Sequence, residues 1–452
     1  MGERVIAVQR KIRAKWLQTV LVLALVPLGI LSLFRGIQKA TRAKCDLEAF
    51  WVASVLIIEG KNPYRMFLEE QELLLDQYAV SDRPWAVCTL PLTERPVYNL
   101  PTQPLLMSPL GLLSFSTANI VWLVIQVAMA LAIPLLLLRL NPRPPSVAAQ
   151  VAGVSLFLAW APTRMTLALG QITLLSGLFG FLAVWLVYKR SDWWLLAGVC
   201  MGGALSKYTN TWPLLLFFLV YRHYRVAIAA VLTQVAGFLL LSLVTGETPI
   251  DAIGSYFALL RNALGQGLGV VSLDGWLNIV GLGGTASALL AGGVAAAILL
   301  MLVLPEYMGK RAWDQQLAEA AAYQRVRANL FIVITFLIGF LFVYHRAYDL
   351  PLLFGYVSFV SSLGLPSQAS KQGRRLYFAL LAAAVFLNLT LLLPPSALEE
   401  VLAEPLSTLL STIPLTLSLV AALTVCVWAL LQPKVLQHLV PGEKEAGQTL
   451  LS

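Results

Sequence analysis

The chain has 452 residues, 58% of them hydrophobic and only 12% charged, with a formal net charge of +9. A composition this apolar excludes a string of ordinary soluble domains. Apolar segments of roughly 20 residues, long enough to cross a bilayer, recur almost to the C-terminus, so the predicted fold class is an all-α polytopic membrane protein.

The first apolar segment, about residues 16–37, follows a basic leader, RVIAVQRKIRAK. No small-residue cleavage site comes after it, so it reads as a retained span with a cytoplasmic N-terminus. Hydropathy predicts about twelve spans, near 16–37, 118–138, 147–162, 171–188, 193–206, 208–220, 226–244, 286–305, 328–343, 350–365, 377–394 and 408–431. Under that topology the lysines and arginines of the short loops gather on the N-terminal side. Positive-inside bias therefore accounts for the basicity, and no nucleic-acid partner is implied. The same bias decides residues 193–220. One long span there would place YRHYR (221–225) and every later basic loop outside, so two short helices are expected to meet at an exterior tip near Lys207. Residues 1–440 then form one transmembrane domain, and 441–452 a cytoplasmic tail.

The long first exterior loop, 38–117, has structure of its own. Asp46 reads as the N-cap of a helix over LEAFWVASVLIIEG, closed by Gly60 and broken by Asn62 and Pro63. MFLEEQELLLDQY has the spacing of a helix lying on the membrane surface. Pro96, Pro101, Pro104 and Pro109 are expected to prevent a continuous helix in the stretch that follows. The second exterior loop, 245–285, carries Asp274, Trp276 and Asn278 in a Gly-rich run and reads as a connector or a lid. Residues 306–327 read as an amphipathic cytoplasmic helix. Cys45 and Cys88 share the first exterior loop, where an oxidising environment permits a disulfide. Cys200 and Cys426 fall in spans. No Walker, zinc or dinucleotide motif is present, and no cofactor is predicted.

Polar residues gather at the outer membrane face in four places: Asp46 with Glu48, Gln171 in LGQITLL, Lys207 in ALSKYTNTWP, and YHRAYD at 344–349. A lysine at the centre of the apolar zone costs roughly 2.5–3.5 kcal/mol, which snorkelling to the interface relieves. His345 and Arg346, close to Asp349, are cationic donors suited to a phosphate.

CDLEAFWVASVLIIEGKNPY, NLPTQPLLMSPLGLLSFSTANIVWL, LALGQITLL, LAGVCMGGALSKYTNTWPLLL and YHRAYDLPLL occur in this order. Together they resemble glycosyltransferase family 87, over roughly residues 16–365. The resemblance implies a GT-C-like bundle with a helical first exterior loop and a hexosyltransferase activity, with mannosyltransferases among the family's members. It implies a polyprenyl-phosphate sugar as donor, a glycolipid or glycan as acceptor, and a site on the exterior face of a bacterial plasma membrane, among membrane lipid. Asp46 matches the family's acidic residue after the first span, Lys207 its lysine after a Gly/Ala-rich helix, and Gly170–Gln171 its Gly-Gln pair. Asp46 is then the expected general base, because a carboxylate that takes the proton of a sugar hydroxyl eases its attack. Lys207, His345 and Arg346 are expected at the donor phosphate, and Glu48, Asn62, Tyr64, Gln171 and Asp349 around the substrates. DLE (46–48) is the nearest approach to an Asp-X-Asp pair, which leaves divalent-metal dependence open. A transporter or flippase for a lipid-linked sugar is the alternative, since intramembrane charge and Gly/Pro-broken helices serve it equally.

Overall fold

The computed structural model describes residues 2–41, 45–70, 74, 97–142, 145–264, 285–313, 321–342, 347–363, 370–392 and 406–439. Among these residues it contains helices and turns and no strand. Six helices are long and apolar enough to cross a membrane, within α1 (Gly2–Ala40), α5 (Phe115–Arg139), α11 (Tyr224–Thr245), α14 (Ala321–Phe342), α16 (Lys371–Leu392) and α17 (Leu406–Leu431). A seventh is reached if α6 (Val147–Ala159) and α7 (Ala161–Leu169), bent by 61° at Trp160, form one broken span. The other five expected spans are apolar helices of 10–17 residues, including α8 (Thr173–Lys189), α9 (Trp194–Leu205) and α10 (Tyr208–Val220). Among the described residues six or seven of the twelve expected spans thus meet the length and composition of a crossing.

One hydrophobic core runs from Leu47 to Leu439. Within its apolar window α14 is 83% buried and α1 only 17%, so α14 is central and α1 peripheral. Leu23, Ile30 and Phe34 of α1 are exposed accordingly, as side chains facing lipid would be. α1 is held by α6 at Gly29, where an added Cβ would stand 2.7 Å from the Ser155 carbonyl oxygen.

Turns of the chain fall at two levels. At one, Asn119 Nδ2 donates to the Ala40 carbonyl (3.5 Å), Trp51 Nε1 to that of Leu113 (3.1 Å), and the Leu100 amide to that of Ser206 (3.1 Å). At the other, Asn329 Nδ2 reaches the Leu140 carbonyl (3.4 Å) and its Oδ1 accepts from the Tyr188 hydroxyl (3.2 Å). The chain reverses at Lys207, as its loop charges predicted. Ala204 and Leu214 both pack on Gly180, whereas a continuous helix would separate residues ten apart by about 15 Å.

Among the described residues three short helices lie between α1 and α5. α2 (Cys45–Ile58) is apolar on all sides, and Leu47, Val52, Ala53 and Leu56 are fully buried, as a helix of that pattern must be. Gly60 closes it at φ +73°, with Lys61 N on Leu56 O (2.8 Å) and Gly60 N on Ile57 O (3.0 Å), a Schellman ending. Asn62 then caps α3 (Pro63–Glu69) by accepting from the Tyr64 amide. Of the expected surface helix over 66–78, Met66–Glu69 belong to α3, and beyond them only Glu70 and Leu74 are described, with the Leu74 amide on the Glu70 carbonyl at 3.1 Å.

α4 (Thr102–Gly111) corrects the reading of the Pro-rich stretch: it is a continuous helix containing Pro104 and Pro109. Pro104 sits in the first turn, where the backbone N–H has no helical partner to lose. Pro109 does remove a donor, and the orphaned Leu105 carbonyl is taken by the Ser108 hydroxyl at 2.8 Å. α12 (Pro249–Leu264) occupies part of the segment expected as a second exterior loop; Asp274, Trp276 and Asn278 lie outside the described residues. α13 (Thr285–Trp313) extends well into the expected 306–327 segment.

α2 and α4 meet at Gly111, where an added Cβ would lie 2.8 Å from both Ser54 C and Val55 N. Backbone cannot yield there, so Gly111→Leu is expected to force the two helices apart at a cost of about 1–3 kcal/mol. A thermal melt of the variant in detergent should show a lower midpoint.

Candidate active site

Asp46 is the second residue of α2, one position inside the helix rather than its N-cap. It stands half-buried in the first turn, where the unpaired amides of the helix end favour a negative charge. Glu48 is buried two residues on. Residues at i and i+2 face different sides of a helix, so Asp46 and Glu48 do not form a carboxylate pair on one face. Among the described residues no group of three or more His, Cys, Asp or Glu side chains is placed to hold a metal ion.

Gln171 reaches Asp46 because α7 ends in a second Schellman turn. Gly170 takes φ +73°, Gly170 N donates to Leu167 O (3.3 Å), and Gln171 N to Thr166 O (3.1 Å). The left-handed conformation suits glycine, and so does the space: an added Cβ would lie 2.6 Å from Leu47 Cβ, on α2. Two residues one turn apart on α5 fix this turn from behind. Trp122 Nε1 donates to the Gly170 carbonyl and Gln126 Nε2 to that of Gln171, each at 2.8 Å. With the backbone held, Gln171 Nε2 lies 2.6 Å from Asp46 Oδ2.

On the other side of Gln171 is a buried ion pair. Lys207, in the α9–α10 turn, places Nζ 2.6 Å from Asp349 Oδ1, with the two side chains only 9% and 7% exposed. Asp349 belongs to a short 3-10 helix, Ala347–Leu353. Nζ also donates to Thr173 Oγ1 (2.8 Å) and Gln171 Oε1 (3.1 Å). An ammonium has three protons, and these three bonds use them. Thr173 Oγ1 and Asn210 Nδ2 each donate to Asp349 Oδ1 at 2.8 Å. Lys207 thus neither snorkels nor points a spare proton outward. It is built into a network joining the start of α8, the α9–α10 turn and the 3-10 helix, with Asp46 attached through Gln171.

Four of the sequence-derived residues therefore come together: Asp46, Gln171, Lys207 and Asp349. Asn62 and Tyr64 do not join them, because α2 is 14 residues long and separates them from Asp46 by roughly 20 Å. Asn62 Nδ2 instead donates to Glu247 Oε2 (2.6 Å) and Ser255 Oγ (2.9 Å), while Arg65 pairs with Glu247 (3.1 Å). These contacts join α3 to the turn after α11 and to α12. Tyr64 is fully buried, with its hydroxyl on the Asn99 carbonyl at 2.7 Å. Burial first, and then Tyr256, hold its pKa well above the ordinary tyrosine value, so it remains a donor. His345, Arg346, Cys88 and the side chain of Cys45 lie outside the described residues. Cys200 and Cys426 are free and buried.

Sequence reasoning missed Thr173, Asn210, Trp122 and Gln126. Asn210 was signalled by its place three residues after Lys207, on the first turn of α10, and Thr173 by its place two after Gln171. The other two are single polar groups in a long apolar helix, and nothing local distinguishes them.

A polar cluster held at one level among the described helices, with a carboxylate on its edge, marks the functional site of a membrane-embedded protein. The sequence profile of glycosyltransferase family 87 matches residues 100–363. The chain belongs to that family and is a membrane glycosyltransferase. No curated protein and no solved structure matches it. Asp46 precedes the matched region, and the bond from Gln171 ties it to the matched part.

The ion pair makes a stability prediction. Removing one partner of a buried pair strands the other charge and costs about 3–5 kcal/mol. Lys207→Met is expected to lower the melting point sharply, and Lys207→Met/Asp349→Leu to recover most of the loss. A single variant as stable as the parent would show that the pair does not support the fold.

Proposed function

We propose that this chain transfers a hexose from a polyprenyl-phosphate donor to a glycolipid or glycan acceptor on the exterior membrane face, with Asp46 as general base. The observation that carries this reading is the 2.6 Å bond from Gln171 Nε2 to Asp46 Oδ2, which fixes a half-buried carboxylate just beyond the end of the first span. A carboxylate in this position accepts the acceptor's hydroxyl proton as the oxygen attacks the anomeric carbon. A family match that makes the chain a glycosyltransferase supplies the reaction class. Mannose, named by the resemblance, is the first sugar to try.

Charge supports the side of the membrane in this reading. Arg139, Lys189, Arg190, Arg225 and Arg325 gather at the level opposite Asp46, and Arg190 lies over the Trp193 ring at 4.8 Å. Clustered cations of this kind support a cytoplasmic face; in this reading Asp46 is then outside and the termini inside, and the resemblance adds a bacterial plasma membrane. Because the protons of Lys207 are used internally, His345 and Arg346 take the donor phosphate in this reading. They precede Asp349 by four and three positions. Charge on the departing phosphate needs such fixed cations. The single transmembrane domain through residue 440 and the cytoplasmic tail 441–452 complete the assignment.

Asp46→Asn tests the base. Asparagine keeps an oxygen that can accept from Gln171, so expression and donor binding should be unchanged, while transfer from a synthetic polyprenyl-phosphate mannose falls by about 10²-fold or more. Substantial transfer by a folded Asp46→Asn enzyme would move the role elsewhere. Arg346→Gln is expected to weaken binding of the same donor with little change in melting point; unchanged donor affinity would remove the phosphate role from this residue.

A further inference from the structure

The seam between α1 and α7 carries charge that the cluster around Lys207 does not use. α1 lies against α6 and α7, and its buried residues Ser32, Gly36 and Ala40 recur at the spacing of one helix face. At Gly36 an added Cβ would stand 3.4 Å from Leu167 Cδ1 and 3.5 Å from Arg164 Cγ, so the stem of Arg164 lies against α1. Arg35 is the residue before Gly36, and the two guanidinium groups are close enough to repel each other. Arg35 is exposed and Arg164 half-buried. Among the described residues neither has a carboxylate partner.

Two hydroxyls on this seam are unsatisfied as well. Ser32 stands one turn before Gly36 on α1, and Thr163 one turn before Leu167 on α7. They are only 6% and 0% exposed, and among the described residues Ser32 Oγ and Thr163 Oγ1 have no hydrogen-bond partner. Buried hydroxyls ordinarily find one, and cations in an apolar zone ordinarily find a counter-charge. What the seam lacks is an anion rich in acceptors. A phosphate has that chemistry: guanidinium forks bind its oxygens in pairs, and hydroxyls donate to the oxygens that remain.

Depth decides how such a phosphate arrives. Arg35 lies five residues before the end of α1, and Arg164 six before Gly170, about 8 and 9 Å along the two axes. Both helix ends are on the Asp46 side, and Ile30, Leu31 and Phe34 next to Arg35 are exposed, as lipid-facing residues are. A free ion would have to leave water to reach this zone. A lipid brings its phosphate there with its tails already in the apolar layer.

We propose that Arg35 and Arg164, supported by Ser32 and Thr163, form a site for the phosphate group of a membrane lipid in the leaflet on the Asp46 side. The bound phosphate would cancel the repulsion between the two arginines and clasp α1 to α7. These are the helices that lead to Asp46 and Gln171. The chemistry is shared by an anionic phospholipid of the bilayer and by a polyprenyl phosphate, and binding separates them. The reading of Asp46 as general base plays no part in this inference.

The test uses the full chain in detergent, with lipid binding read by native mass spectrometry and stability by thermal melts. The probes are phosphatidylglycerol against diacylglycerol, and polyprenyl phosphate against polyprenol. At least one phosphate-bearing lipid should bind more tightly than its phosphate-free counterpart and raise the melting point. Arg35→Gln and Arg164→Gln should each weaken that lipid about tenfold or more, the scale of a charge-assisted hydrogen bond. Without lipid, both variants should melt at or above the parent's temperature, because one of two like charges is gone. Weakening confined to phosphatidylglycerol identifies a bilayer lipid as the occupant; weakening confined to polyprenyl phosphate identifies a lipid of the donor's class. Phosphate-bearing lipids that bind both variants as tightly as the parent, or no better than their phosphate-free counterparts, overturn the proposal. Variants that melt lower without lipid while binding it unchanged give the arginines a structural role instead.

Discussion

The structure depends on keeping one ammonium inside a helical bundle. Lys207 is 8% exposed, and a lone cation at that depth would be intolerable or would lose its proton. Asp349 neutralises it, and Thr173 and Gln171 complete its bonds. Three parts of the chain, 34–36 and 142 positions away along the sequence, must arrive together for this to work. Each arrives by a break in a helix: Gln171 and Thr173 after the α7 ending, Lys207 in the α9–α10 turn, and Asp349 in a 3-10 segment. Regular helices could not supply these groups, because their side chains point sideways and their ends are elsewhere. The breaks are where the polar residues are.

The small residues around the cluster follow from the same demand. Gly170 must take a positive φ and also let α2 come within contact. Gly180 admits both Ala204 and Leu214, so that α9 and α10 can fold back against α8. Gly202 and Gly237 let α11 close against α9 and α4, and the backbone contact there is sealed by Gln234, which bonds Thr102 and the Gly202 carbonyl. In a membrane, such close backbone approaches replace the hydrophobic drive that lipid does not provide. Stability at these points comes from packing and internal hydrogen bonds, which is why the cluster tolerates buried charge.

Much of this could be read along the chain, and the pattern of success is physical. Local punctuation was legible: Gly60, Asn62 and Pro63 end one helix and begin the next, and loop charge alone put a reversal at Lys207. Pro104 and Pro109 misled because a proline is disruptive only where its missing N–H is needed, and helix position decides that. The N-cap reading of Asp46 started the helix two residues late, within the ordinary uncertainty of helix ends. Membership of the site in Gln171 and Asp349 was visible as polarity in apolar surroundings. Partnership was not: the bond between Asp46 and Gln171 spans 125 positions, and nothing in a single chain reports that distance. Asn62 and Tyr64 show the converse, polar residues close to Asp46 in sequence that the rigid length of α2 carries away.

In the proposed reading Asp46 is a base that sits where a negative charge is already favoured. The first turn of α2 and the Gln171 N–H both face its carboxylate. For a group that must remove a proton from a neutral hydroxyl unaided, that would be a poor arrangement. Transfer from a phosphate-linked sugar is different, because the bond to the phosphate loosens first and the anomeric carbon becomes strongly electrophilic. As the new bond forms, the hydroxyl oxygen gains positive charge and its proton becomes acidic, so a weak base in the right place suffices. A strong base would instead hold a proton at rest and be unable to accept another. Under that reading the site favours readiness over strength: a carboxylate held in the first turn of α2 and tied through Gln171 to a buried frame.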